Sequence, residues 1–280
     1  MSNRYTLYPL KPPLRISSLC TAFIEEKGSE FSYAGESHDF YEVVFVLRGE
    51  AGIVAGDEIL TLKAGHMIVH PPMEFHRIWN DADRNLRFLI LSFGASAFPE
   101  VGHRIAAFTQ SEGEEICNQV RTLIDSFVTN GKMLVAPRAY VPRAPIFMAV
   151  NRIENLLLSL MSESSVPIPD GSRSARRYSE AVAIMQENLG RRLSVEEIAD
   201  LCHMSRSALQ KLFYRYAGMG LMNYYTRMKV ARALELLQSG TSVKETAAAL
   251  GFVDQNYFSR LFRRCTGNPP SFYRAMQEKK

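Results

Sequence analysis

The sequence predicts a two-domain α+β protein, with an N-terminal antiparallel β-barrel that carries two helices and an all-helical C-terminal domain in which one long helix joins two similar helix pairs. Three observations lead to this prediction. Short β-type runs fill residues 40–93, whereas after residue 178 apolar residues recur every three or four positions. A length of 280 residues fits about two domains. The formal net charge of +4 divides into −5 for residues 1–170 and +9 for residues 171–280.

Composition excludes several classes of protein. With 46% hydrophobic residues, 22% charged residues, 17 glycines and 13 prolines, the chain is neither mainly disordered nor collagen-like. No apolar run approaches the roughly 20 residues that span a bilayer, and residues 1–13 lack the apolar core of a signal peptide. The four cysteines are far apart, without a Cys-x-x-Cys pair, and are expected to be reduced thiols. We therefore expect a cytoplasmic protein with no membrane partner.

The barrel is predicted from six short runs that are rich in β-branched, aromatic and other apolar residues. Turn residues such as Gly49, the Gly56-Asp57 pair and Pro71-Pro72 separate them. The predicted strands cover residues 41–47, 52–56, 58–62, 67–70, 75–79 and 86–93. Many short strands at this spacing favour a small antiparallel sandwich or barrel.

Two amphipathic helices are predicted next, at residues 114–128 and 145–161. Their apolar faces can pack on the barrel, or one exposed face can form a dimer contact, and both interpretations stay open. Residues 162–174 are rich in serine and proline, which is typical of an interdomain linker. The predicted division is therefore an N-terminal domain at 1–163, a linker at 164–176 and a helical domain at 177–280.

The helical domain contains helix start and stop signals. Ser194 and Glu197 form a predicted capping box, Ser205 is the predicted N-cap of the following helix, and Gly240 ends a long helix over residues 221–238. An internal repeat appears at an offset of 49 residues, with Ala199, Leu209, Phe213 and Gly218 matching Ala248, Phe258, Phe262 and Gly267. We expect two helix-turn-helix units, at about 194–217 and 243–266, each with a small alanine where its two helices cross.

The second helix of each unit is predicted to present a polar face away from its apolar face. These residues are Arg206, Ser207, Gln210 and Lys211 in the first helix, and Gln255, Asn256, Ser259 and Arg260 in the second. Gln and Asn can pair with adenine edges, and Arg or Lys with guanine or phosphate. A solvated polar surface is the alternative. The long helix spans about 27 Å, close to the ~34 Å between successive major-groove faces, so double-stranded DNA is the expected partner.

The stretch Gly251 to Arg274, which contains the second unit and a Pro-x-x-Tyr-Arg sequence, resembles the signature of AraC/XylS-type transcription regulators. The resemblance extends over about Tyr178 to Arg274. It implies promoter binding through the eight polar positions named above, and RNA polymerase as a protein partner.

Residues 30–95 resemble the two cupin motifs, which implies a double-stranded β-helix of the kind that AraC-type regulators use as a sensor. The motif positions are Gly35, Glu36, His38, Glu42 and Gly49, and then Gly65, Pro71, His76 and Asn80. In metal-binding cupins the ligand positions correspond to Glu36, His38, Glu42 and His76, with Glu36 in place of a histidine. AraC-type sensors usually bind an effector without a metal, so no cofactor, no metal and no catalytic residue are expected. Candidate effector-binding residues are His38, Tyr41, Arg48, His70, His76 and Trp79.

The expected function is sequence-specific DNA binding by a homodimer that activates or represses a nearby operon in response to a small molecule. An enzyme is not expected. Two alternatives stay open: a cupin metalloenzyme fused to a DNA-binding domain, and a regulator that acts without a ligand.

Overall fold

The computed structural model describes residues 11–99, 104–162 and 172–275, and it confirms a β-rich N-terminal part followed by a helical C-terminal part. Of the linker predicted at 164–176, residues 164–171 lie outside the described residues. Residues 173–176 are helical and do not form a linker, because a helix begins at Arg173 and the side chain of Ala175 is buried. The domain boundaries themselves stay predictions.

Strands β2 to β7 confirm the six predicted strands, whereas β1 and β8 to β10 were not predicted. The described strands are β1 (Arg15–Lys27), β2 (Tyr41–Arg48), β3 (Glu50–Ala55), β4 (Glu58–Lys63), β5 (His66–His70), β6 (His76–Asn80), β7 (Leu86–Ala97), β8 (Ile105–Ala107), β9 (Phe127–Asn130) and β10 (Met133–Pro137). The strands form a seven-stranded sheet in the order β8-β5-β2-β7-β1-β10-β9 and a three-stranded sheet in the order β4-β3-β6. The pairings within both sheets are antiparallel.

The strand register brings polar side chains together inside an apolar barrel. Glu42 on β2 lies opposite His70 on β5 and opposite Ser92 on β7. His76, the first residue of β6, forms an isolated bridge with Glu36. Around them the two sheets enclose an apolar core that includes Val44, Ile53, Ile68, Ile78, Phe88 and Ile90. The fold therefore places Glu36, Glu42, His70 and His76 near one another in the barrel interior, where solvent access is low.

Helices α1 (Gln110–Ser126) and α2 (Arg143–Ser162) confirm the two predicted amphipathic helices. A capping box between Thr109 and Glu112 starts α1 four residues before the predicted position. Both helices pack on the large sheet, and their residues in that apolar core include Ile116, Val120, Leu123, Ile153, Leu157 and Leu160. Packing on the barrel is therefore confirmed as the role of the buried faces of α1 and α2.

The C-terminal part contains the helix pairs that the repeat predicted. The helices are α3 (Arg173–Glu187), α4 (Val195–Leu201), α5 (Arg206–Ala217), α6 (Leu221–Gln238), α7 (Val243–Ala249), α8 (Gln255–Thr266) and α9 (Pro270–Ala275). Ser194, Ser205 and Asp254 cap α4, α5 and α8 through their side chains. Among the described residues, no helix is both long and apolar enough to cross a membrane.

The offset of 49 residues holds for α5 and α8 but is wrong for the first helices of the two units. Helix α4 starts at Val195 and α7 at Val243, an offset of 48. Ala199 is buried as expected, but its counterpart is Ala247, which is 2% exposed, and not Ala248, which is exposed. The turn of the second unit has one extra residue, which we assign to Val253 because this side chain is 93% exposed.

The same turns yield a stability prediction. His203 (φ 50°) and Gly251 (φ 72°) hold equivalent left-handed positions, and a Cβ on Gly251 would lie 2.6 Å from the carbonyl oxygen of Gly190. We expect Gly251→Ala to lower the free energy of unfolding by about 2 kcal/mol or more, because strain and overlap add, and His203→Gly to raise it by up to about 1 kcal/mol. Urea unfolding measures both effects, and equal effects in both variants would contradict the equivalence.

Candidate effector cavity and nucleic-acid interface

Helices α5 and α8 expose the polar faces predicted from the sequence. In α5 the face consists of Arg206, Ser207, Gln210 and Lys211, and in α8 of Gln255, Asn256, Ser259 and Arg260; all of them are exposed except Gln210 and Ser259, which are half-buried. We call these sets the α5 face and the α8 face. The opposite sides are anchored by fully buried Phe213 and Phe262. Both faces are therefore solvent-accessible surfaces on well-packed helices.

Helix α6 and one buried lysine hold the two units together. The Lys229 ammonium donates hydrogen bonds to the carbonyl oxygen of Arg191, before the first unit, at 2.7 Å, and to that of Leu250, in the second unit, at 2.6 Å. It also lies 4.9 Å from the ring centroid of Tyr225. Burial lowers the pKa of Lys229 to about 8. The relative position of the α5 and α8 faces is thus fixed by a helix and by a buried cation that bridges the two units.

The barrel contains a cavity of about 450 Å³. Its apolar wall includes Phe23, Phe31, Phe40, Val44, Phe88 and Ile90. Three of the six candidate effector residues line it, namely His38, His70 and His76. The unpredicted strand β1 supplies Cys20 and Phe23 to the cavity wall. No sequence pattern pointed to them, because β1 lacks a clear apolar–polar alternation. A largely apolar cavity with a few polar groups suits a small ligand.

The other three candidate residues lie elsewhere. Tyr41 stacks on Phe98 with ring centroids 4.1 Å apart, on the helix-covered side of the large sheet. Arg48 has a 61% exposed side chain and pairs with Glu26 at 2.6 Å. Trp79 packs against the apolar core that the helical part forms, and its indole N–H donates to nearby Asp81 of the barrel. The proposed effector site therefore excludes Tyr41, Arg48 and Trp79.

A His/Glu cluster, consisting of Glu36, His38, Glu42 and His76, lines part of the cavity. One potential ligand atom from each residue lies within 4.8 Å of the others. The imidazole Nε2 atoms of His38 and His76 lie 3.7 Å and 3.4 Å from the carboxylate oxygens of Glu42. Despite its burial, Glu42 has a pKa well below the ordinary value, because His38 and His76, and to a smaller extent His70, favour its charged form.

Behind this cluster, a second set of charges holds His70 in place. His70 Nδ1 lies 2.7 Å from a carboxylate oxygen of Glu74, and Arg104 pairs with both Glu74 and Glu58. The rings of His70 and His76 stack with centroids 4.5 Å apart. Sequence analysis did not single out Glu74 or Arg104, because their pairing depends on loop positions that no periodic pattern specifies.

Two family models match the chain. Residues 21–132 match an AraC-like ligand binding domain, and residues 198–276 match a helix-turn-helix domain, so that together they cover about two thirds of the sequence. The chain belongs to the AraC family of transcription regulators. The resemblances inferred from the two sequence motifs are thereby confirmed.

Full-length relatives of this AraC-family regulator are similar across both parts. The uncharacterized HTH-type transcriptional regulator YfiF of Bacillus subtilis is 25% identical over 258 residues, covering 85% of this chain and 78% of the relative. The HTH-type transcriptional activator RhaS of Salmonella schwarzengrund is 24% identical over 252 residues, covering 86% and 87%. A solved AraC-type regulator from Chromobacterium violaceum is 32% identical, with a TM-score of 0.36, and covers 37% of this chain and 94% of that chain. These names describe regulators of transcription and not enzymes.

In this AraC-family regulator the barrel and the DNA-binding part share an apolar contact. Val54 and Phe75 of the barrel join the core formed by the helices around Tyr178. The Phe75 and Tyr224 rings meet edge to face at 5.3 Å, and the Tyr224 hydroxyl donates to the carbonyl oxygen of Gly56 at 2.9 Å. The barrel therefore packs directly against an apolar core that contains buried residues of α5, such as Phe213.

Acid is expected to destabilise the barrel through His70. This side chain is 1% exposed, and burial, followed by the charge of His76, lowers its pKa to about 4. Because the folded pKa lies below the unfolded value of about 6.5, the unfolded chain binds the proton first, and stability falls as pH drops from about 6.5 to 4. The expected loss is about 2–3 kcal/mol. Urea unfolding across this range measures it.

Among the other groups with a shifted pKa, half-exposed His66 also has a pKa lowered by burial and adds to the same slope. Three further groups act outside the upper part of this pH window. His76 has a raised pKa through Glu42 and is protonated in both states below about 6.5, whereas the lowered pKa values of Glu42 and Glu74 matter below about 4.5. His70→Gln should therefore flatten the stability slope between pH 6.5 and 4.5, and the exposed-site variant His203→Asn should retain it. An unchanged slope in His70→Gln would rule out His70 as the origin.

Proposed function

We propose that this AraC-family regulator binds two adjacent major grooves of double-stranded DNA through the α5 and α8 faces, and that a small molecule in the barrel cavity changes this binding. The observation that carries the proposal is the pair of exposed polar faces on equivalent helices, separated by the 18-residue α6. Both faces belong to the part of the chain with a net charge of +9, which suits an anionic partner.

Selection of bound fragments from random DNA tests the two-groove geometry. We expect two half-motifs about 10 base pairs apart, because each recognition helix reads one major groove on the same side of the duplex. A single half-motif would restrict base reading to one helix, and absence of any enriched sequence would contradict sequence-specific binding. A duplicated bipartite site would support a homodimer on DNA.

Arg260→Ala is expected to weaken operator binding by about 1–3 kcal/mol, because Arg260 is an exposed cation on the α8 face that can pair with a guanine edge. Arg232→Ala is the matched control, since it removes the same charge from α6 on the side that faces the barrel. Fluorescence anisotropy at fixed salt measures both affinities. Equal losses in the two variants would show a charge effect without base reading.

The barrel cavity is proposed as the effector site, with the apolar wall providing affinity and His38, His70 and His76 providing polar contacts. An effector must bind the DNA-competent and DNA-incompetent arrangements with different affinities in order to change operator binding. Thermal-shift screening against sugars, aromatic acids and amphiphiles, followed by operator titration with each hit, tests this. Hits that leave operator affinity unchanged would favour the ligand-independent alternative.

The assembly and the cellular partners are proposed as follows. We propose a homodimer in which the exposed Phe147 and Met148 of α2, 61% and 57% accessible, meet a second copy of the chain. Analytical ultracentrifugation of Phe147→Glu tests this, with dissociation as the expected result.

We also propose that the protein acts in the cytoplasm, where it can reach its operator. The promoter-bound protein is further proposed to contact RNA polymerase, which an in vitro transcription assay tests.

A further inference from the structure

One residue of the second helix-turn-helix unit has no counterpart in the first. The amides of Met204 and Phe252 are equivalent, because each donates to a backbone carbonyl oxygen of the preceding helix at 2.9 Å. Ser205 and Asp254 are equivalent as the N-caps of α5 and α8. Ser205 follows Met204 directly, whereas Val253 stands between Phe252 and Asp254. Val253 is therefore an inserted residue immediately before the second recognition helix.

The side chain of this inserted residue contributes little to the protein interior. Val253 is 93% exposed, so the fold leaves both of its methyl groups in water. Two other exposed apolar side chains, Tyr257 on α8 and Met222 on α6, line the same groove, at 52% and 37% exposure. We call these three residues the Val253 patch. Arg260 of the α8 face lines this groove as well, so the patch continues the α8 face.

The charges around the patch favour an anionic partner. Among the described residues that line the groove, Arg192, Lys229 and Arg260 are cationic and Asp254 carries the carboxylate. The Asp254 carboxylate is engaged by α8, because the amide of Asn256 donates to its Oδ1 at 2.7 Å. Duplex DNA offers both kinds of group that such a groove can contact, namely phosphates for the cations and thymine methyl groups for apolar side chains.

We propose that Val253 contacts the C5-methyl group of a thymine in the half-motif that α8 occupies. The contact rests on the proposed function, since it requires α8 to lie in a major groove. The N-terminal residues of a recognition helix are those that reach base edges there. Thymine is the base that presents a methyl group in this groove, and apolar side chains recognise it. The first unit lacks the inserted residue, so the methyl contact belongs to one half-motif of each bipartite site.

The experiment removes the methyl group from the DNA and from the protein in turn. The probe is the duplex enriched from random DNA, with each thymine replaced singly by deoxyuridine, which lacks only the C5-methyl group. Fluorescence anisotropy measures the affinity of the full chain for each duplex. We expect deoxyuridine to weaken binding about 4-fold at a thymine of one half-motif, because one buried methyl group is lost.

The same duplexes are then titrated with Val253→Ala. This variant should bind the thymine duplex about 4-fold more weakly than the parent protein and should lose nothing further on the deoxyuridine duplex. Val135→Ala is the matched control, since it removes the same two methyl groups from a 60% exposed valine of β10. It should retain the parent affinities for both duplexes. Folding is not at risk in Val253→Ala, because substitutions at such exposed positions change stability little.

Three results would overturn the contact. They are an enriched half-motif pair in which no thymine is sensitive to deoxyuridine, the same sensitivity in Val253→Ala as in the parent protein, and an equal loss for Val253→Ala on all duplexes. In each of these cases specific binding persists, so the proposed DNA-binding function stands while the role of Val253 fails. Absence of any enriched duplex would contradict both, because the methyl contact requires sequence-specific binding.

Discussion

Phe262→Ala is expected to lower the free energy of unfolding by about 3–5 kcal/mol and to abolish specific DNA binding. Phe262 is fully buried in α8, directly behind the α8 face. Its ring packs at 5.8 Å from Phe258 and edge to face at 5.6 Å from Tyr273. Truncation removes both ring contacts and leaves a cavity among residues of α6, α8 and α9 that a rigid helix cannot close.

The loss should be confined to the second helix-turn-helix unit. Tyr257→Ala removes a ring of similar size from the same helix, but Tyr257 is 52% exposed, so its effect on stability should stay below about 1 kcal/mol. Urea unfolding with tryptophan-independent detection, such as circular dichroism, compares the two variants. Similar losses in both would indicate that burial of the Phe262 ring does not determine the stability of α8, because alanine has a higher helix propensity than either aromatic residue.

The elements that sequence periodicity predicted are those with one buried face. Helices α5 and α8 have clean apolar stripes, and their residue ranges differ by the 49 positions of the repeat. Strand β1 was missed because only Ile16 and Ala22 are fully buried among its 13 residues, so no two-residue period is visible. The assignment of Ala248 failed for another reason: a single extra residue in a turn shifts one helix by one position without disturbing the next.

The candidate site was predictable only in part, because its contacts join residues far apart in sequence. Motif spacing correctly grouped Glu36, His38, Glu42 and His76, which the strand register brings together. Nothing in the sequence pointed to Arg77, whose partners on α5 lie 138 and 139 positions further along the chain. A contact between two domains leaves no local pattern, so only the tertiary structure reveals it.

Arg77→Ala is expected to weaken the contact between the barrel and the DNA-binding part by about 3–5 kcal/mol. The guanidinium donates to the carbonyl oxygens of Arg215 and Tyr216, in the last turn of α5, at 2.5 Å and 3.0 Å. Two further bonds, to the carbonyl oxygen of Tyr33 and the hydroxyl of Ser32, hold the side chain to the barrel. Carbonyls at the end of a helix lack partners within the helix and carry partial negative charge, so a cation there is favourable.

Calorimetry should show this loss as two separate unfolding transitions in Arg77→Ala where the parent protein has one, and hydrogen exchange should speed up at the end of α5. Arg77→Lys keeps the charge but cannot reach four acceptors with one ammonium, so it should lie between the parent and the alanine variant. Arg48→Ala, which removes an exposed arginine from the barrel surface, should leave a single transition. One shared transition in all variants would show that the apolar contact around Tyr224 alone couples the two parts.

Arg77 connects the ligand cavity with the helix that presents the α5 face. Arg77 follows His76 on β6, lines the cavity and caps the helix that presents the α5 face. A ligand that moves His76 therefore displaces a side chain bonded to the far end of that helix, and differential affinity for the two arrangements changes operator binding. In Arg77→Ala the operator affinity should respond less to the ligand even though the cavity still binds it. An unchanged response would indicate that the ligand affects operator affinity through the Phe75–Tyr224 contact and not through Arg77.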